Sequence, residues 1–81
     1  MDQNMNPTPK ELETLRFIVN YRAQYGYPPS VPDIAKAGSI SSTVARLRVK
    51  ALVGKGYLSA VRYRARSLVV LKDEAGVPVT P

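Results

Sequence analysis

The sequence predicts a small α+β domain, mainly α, in which three helices are followed by a C-terminal two-stranded β-hairpin. Three observations predict it. Helix-start signals at Thr8-Pro9, at Ser30 and at Ser41-Ser42 each precede an apolar run at helical spacing, and glycines close those runs at Gly26, Gly38 and Gly54. Beyond Gly56 the pattern changes to the alternation of strands, over Tyr57 to Arg62 and again over Ser67 to Leu71. Basic residues are also segregated: between Ile34 and Lys72 there are nine Lys and Arg and no Asp or Glu.

Residues 1–7 are polar and aperiodic and are expected to be a flexible N-terminus. Thr8 as cap, Pro9 at the first helical position and Glu11 in the first turn open the first helix. Its expected core face is Leu12, Leu15, Ile18 and Val19, with Phe17 and Tyr21 on the flank and an end near Gln24 before Gly26. Tyr21, Tyr25 and Tyr27 have faces on which bases stack, but on a domain of this size they are read as packing rims. Tyr27-Pro28-Pro29 forces an extended link, because proline disfavours helix in the residue before it.

The second helix opens at Ser30, and Asp33 three residues later makes an approximate capping box. Ile34 and Ala35 form its apolar face, and Gly38 is expected to end it in the left-handed conformation. Ser39 and Ile40 make the turn, with Ile40 filling the angle. Ser41 or Ser42 caps the third helix, which runs through Val44, Leu47, Val49 and Leu52 until Gly54 and Gly56 stop it.

That third helix carries more apolar residues than one buried face requires. At about 100° per residue, Ala45, Val49, Leu52 and Val53 fall on a core stripe, and Thr43, Arg46, Leu47 and Lys50 fall opposite. A leucine facing outward beside Thr, Arg and Lys suits a DNA groove, where apolar atoms meet thymine methyls and arginine meets guanine edges. Thr43, Val44, Arg46 and Leu47 are therefore the candidate base-reading residues, and Ser41, Ser42, Arg48, Lys50, Arg62, Arg64 and Arg66 the candidate contacts to the DNA backbone. The competing arrangement buries Val44, Leu47 and Ala51 as a second stripe, or offers them as an anchor patch for another protein.

Length and composition bound the rest. The chain has 81 residues and a formal net charge of +6, with no cysteine and no histidine, which leaves out disulfides, thiolate chemistry, the usual zinc sites and His-based catalysis. Room exists for one domain, expected over residues 8–72, with residues 73–81 as a tail or linker. No apolar run approaches the ~20 residues of a membrane span. The expectation is a cytoplasmic, non-enzymatic protein without cofactor, metal or small-molecule substrate, whose segregated positive field attracts a polyanion.

The hairpin lacks an Asn-Gly turn signal, but Arg62, Arg64 and Arg66 recur every second residue, so that its tip would present guanidinium groups to phosphates or a minor groove. Three helices with a mixed basic and apolar third helix, followed by such a hairpin, make the winged helix-turn-helix plan. The runs GYPPSVPDIAKAG, SSTVARLRVKALVGKGYL and RARSLVVL resemble the N-terminal DNA-binding domain of LexA repressors, over roughly Pro9 to Leu71.

The resemblance implies a sequence-specific, double-stranded-DNA-binding repressor that recognises a palindromic operator, with a second copy as partner, in a family that often controls DNA-damage (SOS response) genes. It also implies that Ser41, Ser42, Thr43, Val44, Arg46 and Leu47 enter the major groove and that Arg64 and Arg66 belong to the wing. Two departures stand out: the second helix is one residue shorter than usual, and Arg46, Leu47 and Arg48 replace residues that are commonly polar, acidic or His. LexA proteins carry a second domain that dimerises and uses a Ser-Lys pair to cut its own linker; Asp73 to Val79 looks like the acidic linker and the first Gly-Leu-Pro-like residues of that second domain. A fragment of a longer repressor and a stand-alone regulator are both open.

Overall fold

The first two helices begin with the same reciprocal cap. At the start of α1 (Pro9–Tyr25) the Glu11 amide donates to Thr8 Oγ1 at 3.2 Å, and the Thr8 amide donates to Glu11 Oε1 at 3.0 Å. At the start of α2 (Val31–Gly38) the Asp33 amide donates to Ser30 Oγ at 3.3 Å, and the Ser30 amide donates to Asp33 Oδ2 at 3.0 Å. Each cap satisfies two backbone donors that a helix start otherwise leaves unpaired. The computed structural model describes residues 6–60 and 66–79, and within them it completes the plan with α3 (Ser42–Gly54), β1 (Leu58–Ser59) and β2 (Val69–Val70).

The helix ends reflect backbone chemistry. Gly26, at φ 82°, closes α1 with its amide on the Arg22 carbonyl at 2.8 Å. The end of α2 differs from expectation by one residue: the left-handed position is Ser39 (φ 54°, ψ 42°), and Gly38 is the last helical residue. The Ser39 amide donates to the Lys36 carbonyl (3.3 Å) and the Ile40 amide to the Ala35 carbonyl (3.0 Å), a Schellman closure in which Ile40 packs back on the core. The same closure ends α3, with Gly56 at φ 85° and the Tyr57 amide on the Leu52 carbonyl at 2.9 Å.

The core gathers Leu15 and Ile18 from α1, Ile34 and Ala35 from α2, Ala45, Val49 and Leu52 from α3, and Tyr57, Leu58 and Leu68 around the hairpin. Two expected core residues lie outside it, Val19 at 36% exposure and Val53 at 39%. In each helix the buried stripe turns the other way. Thr14 is buried beside Leu15 and Ile18, and its hydroxyl donates to the Lys10 carbonyl, so Val19 is left past the edge of the stripe. Leu12 is half-buried.

Among the described residues Leu58 pairs with Val70 and Ser59 with Val69 in an antiparallel ladder, and Val61 and Arg62, the end of the first expected strand, lie outside them. The chain then makes a second turn. Lys72 bridges to Pro78, Asp73 Oδ1 accepts from the Ala75 and Val77 amides at 2.9 and 3.0 Å, and the Val79 amide reaches the Leu71 carbonyl at 2.9 Å. Arg16 Nη2 meets Glu74 Oε2 at 2.6 Å, which holds this turn against α1.

Candidate nucleic-acid interface

The face that α3 presents to solvent is fixed by the burial of its other side. Ala45 and Leu52 are fully buried and Val49 nearly so, and burying a leucine or valine side chain stabilises by about 1.5–3 kcal/mol. Rotating the helix to hide Leu47 would expose them. Leu47 therefore stands 59% exposed and Val44 37% exposed, in a row with the exposed Thr43, Arg46 and Lys50. Arg46 and Lys50 form no ion pair with another described residue. The buried-stripe arrangement of Val44, Leu47 and Ala51 is thus not the one adopted, although Ala51 is half-buried.

Ser41, and not Ser42, is the N-cap of α3: its Oγ accepts from the Val44 amide at 3.1 Å. Ser42 and Thr43 occupy the first two helical positions, exposed. Unlike α1 and α2, this helix has no acid in its first turn, so no carboxylate neutralises the positive end of its dipole. Such an end suits a phosphate oxygen.

The remaining candidate residues are not all on this face. Arg48, one residue past Leu47 and so about 100° further round the helix, is half-buried in a pocket beneath the α2–α3 corner that it lines with Glu13, Thr14, Phe17, Ile34 and Ile40. Arg62 and Arg64 lie outside the described residues. Arg66 is committed elsewhere. In a left-handed conformation (φ 54°), it brings Nη1 to 3.0 Å from Asp33 Oδ2, 3.1 Å from the Pro28 carbonyl and 3.3 Å from Tyr21 Oη, with its guanidinium 5.0 Å above the Tyr27 ring. The Ser30 amide is the main influence holding the Asp33 carboxyl below its ordinary range, outweighing partial burial, with the Ser30 hydroxyl, Arg66 and Tyr21 adding to it.

Two further cations of the basic segment are also engaged. Lys55 Nζ pairs with Glu11 Oε1 at 2.6 Å, and Lys72 lies 5.5 Å over the Tyr57 ring. The tyrosines expected as packing rims form a cluster, with Tyr21 and Tyr25 centroids 4.5 Å apart and Tyr27 5.9 Å from Tyr21. Sequence reasoning missed Asp33 as the receiver of Arg66. The capping-box signal had already explained that carboxylate, and no local pattern joins it to a residue so distant in the chain.

A three-helix domain with a short tight corner between α2 and α3, an exposed basic and apolar α3 face, and an antiparallel hairpin behind it defines a winged helix-turn-helix protein. The comparisons narrow the class. A family model described as the LexA DNA binding domain matches residues 5–67. The chain is 42% identical over 70 residues to the LexA repressor of Pseudothermotoga lettingae, covering 86% of this chain and 34% of that one. Against the LexA repressor of Thermosipho melanesiensis it is 37% identical over 70 residues, 86% of this chain and 35% of the other. Against that of Geobacter metallireducens it is 46% identical over 52 residues, 63% and 26% respectively. The chain belongs to the LexA DNA-binding domain family, and it spans about a third of the length of the first two relatives.

Proposed function

We propose that this domain is the operator-reading part of a LexA-type transcriptional repressor, which binds double-stranded DNA with α3 in the major groove. The observation that carries the reading is the outward Leu47 and Val44, set among Thr43, Arg46 and Lys50 on a helix whose opposite side is fully buried. Thr43, Val44, Arg46 and Leu47 read base edges. Ser41, Ser42 and the free amides at the start of α3 hold a phosphate, and Lys50, Arg62 and Arg64 track the backbone. Arg48 reaches a phosphate only from the rim of its pocket.

Membership of the family, and the repressor names of the relatives, support regulation of transcription by occupancy of an operator; the proposed role places the domain in the cytoplasm and asks no chemistry of it. A palindromic operator places two copies about 34 Å apart, one DNA turn, and damage-response genes are the proposed targets. Among the described residues no helix is long and apolar enough to cross a membrane.

The test is anisotropy of a mixed pool of short labelled duplexes across a salt series, followed by sequencing of the bound fraction. Enrichment of a palindromic half-site with affinity falling steeply in salt is the expected result. Salt-dependent binding without enrichment would reduce the domain to a non-specific DNA coat, and absence of binding at low salt would reject the reading. On the enriched site, Arg46→Ala is expected to cost about 1–3 kcal/mol and to relax the preference at one base position, whereas Lys50→Ala weakens all sequences alike.

A further inference from the structure

We infer that Arg66 is a positioning residue: it pins the root of the wing to the start of α2, and thereby fixes the wing relative to the reading helix, instead of contacting DNA phosphate itself. The inference deepens the proposed DNA-binding role and rests on it.

The geometry is convergent. One nitrogen, Arg66 Nη1, lies within 3.3 Å of three acceptors that come from three different segments: Tyr21 Oη at the end of α1, the Pro28 carbonyl in the proline link, and Asp33 Oδ2 in the first turn of α2. The Tyr27 ring lies 5.0 Å beneath the guanidinium, and Tyr27 packs in turn against Tyr21. Arg66 also holds a left-handed backbone conformation, which is unfavourable for any residue with a Cβ. Contacts must compensate for that. Two residues later Leu68 is buried in the core and β2 follows it, so the contacts of Arg66 anchor the segment that leads into the returning strand.

Asp33 Oδ2 is the shared element. The same oxygen accepts from the Ser30 amide at 3.0 Å, closing the cap of α2, and faces the Tyr21 hydroxyl at 3.4 Å. Since α2 buttresses α3 through Ile34, Ala35 and the Ile40 corner, a bond from the wing to the α2 cap ties together the two elements that must meet the groove at once.

The experiment measures operator affinity and its salt dependence for the 81-residue protein and its variants Arg66→Ala, Asp33→Asn and the double change, with Arg64→Ala as the reference for loss of a phosphate contact. Asparagine at 33 keeps an acceptor for the Ser30 amide, so the cap survives. Positioning predicts that Arg66→Ala and Asp33→Asn each weaken specific binding about five- to tenfold, that the double variant is no weaker than the worse single one, and that the salt slope is unchanged. A phosphate contact predicts the reverse: Arg66→Ala lowers the slope by about 0.9, as expected of Arg64→Ala, and Asp33→Asn leaves binding equal or tighter because it releases the arginine. That result would overturn the inference. Urea unfolding of the parent, both single variants and the double variant separates the two claims. If the parent chain fails to bind any duplex, the DNA-binding role falls, while non-additive unfolding midpoints for positions 33 and 66 still support the anchor and additive midpoints still reject it.

Discussion

At the scale of the residue, the ion pair between Glu11 and Lys55 shows how one carboxylate serves two ends of the molecule. Its side chain is 13% exposed and that of Lys55 21%, and the same Oε1 accepts from the Thr8 amide, so α1's cap is joined to the end of α3. Burial disfavours the Glu11 charge most strongly, but the Lys55 hydrogen bond, the Thr8 amide and the Lys55 charge together outweigh it and hold the carboxyl below its ordinary value of 4.5. A lowered folded-state pKa means that the contribution is complete above about pH 4.5 and is lost as pH falls through the folded value. Lys55→Met is therefore expected to lower unfolding free energy at pH 7 by about 1–2 kcal/mol. It should also flatten the fall in stability that urea titration shows as pH drops below about 4.5; equal acid sensitivity in parent and variant would count against the pair. Neither partner announces the other in the sequence, where Glu11 reads as a first-turn acid and Lys55 as one more cation of a basic run.

At the scale of the element, starts were legible and ends less so, for a physical reason. A capping box lies within four consecutive residues, so Thr8 with Glu11 and Ser30 with Asp33 state it completely. A helix end depends on where the next residues of the chain must go. Gly38 invited the left-handed assignment, but the register of the α2 corner is set by Ile40, which must reach the core while its amide finds the Ala35 carbonyl, and this moves the left-handed residue to Ser39. The consequence is testable. A Cβ on Gly38 would sit 3.5 Å from Ile40 Cγ1 and 3.6 Å from Cδ1, ordinary contact distances. Gly38→Ala should thus stabilise by about 0.5–1 kcal/mol, the usual helical difference between the two residues. A loss of similar size in thermal melts would mean that glycine is needed there. In α3 the core stripe was legible through Ala45, Val49 and Leu52, and so was the outward Leu47. Val53 and Val19 were overcounted because hydrophobic character alone does not say where a stripe stops.

At the scale of the whole molecule, the basic segment resolves into cations with different tasks. Lys55, Arg66 and Lys72 brace the fold, whereas Arg46 and Lys50 stand on the exposed face of α3. The sequence showed the segregation of charge but not this division, which depends on partners remote in the chain: Glu11, Asp33 and Tyr57. The same holds for the turn after β2, which Asp73, the Lys72 to Pro78 bridge and the Arg16 to Glu74 pair hold against the body. No periodicity marks that stretch. Whether the unburied side of α3 meets DNA is decided by amide chemical-shift mapping of the isotope-labelled protein on addition of an enriched duplex. The largest changes are expected on Ser41 to Lys50, centred on Thr43, Arg46 and Leu47, with Val19, Glu74 and Val77 unmoved. Changes concentrated on those last residues, with α3 silent, would contradict the DNA-facing role of α3.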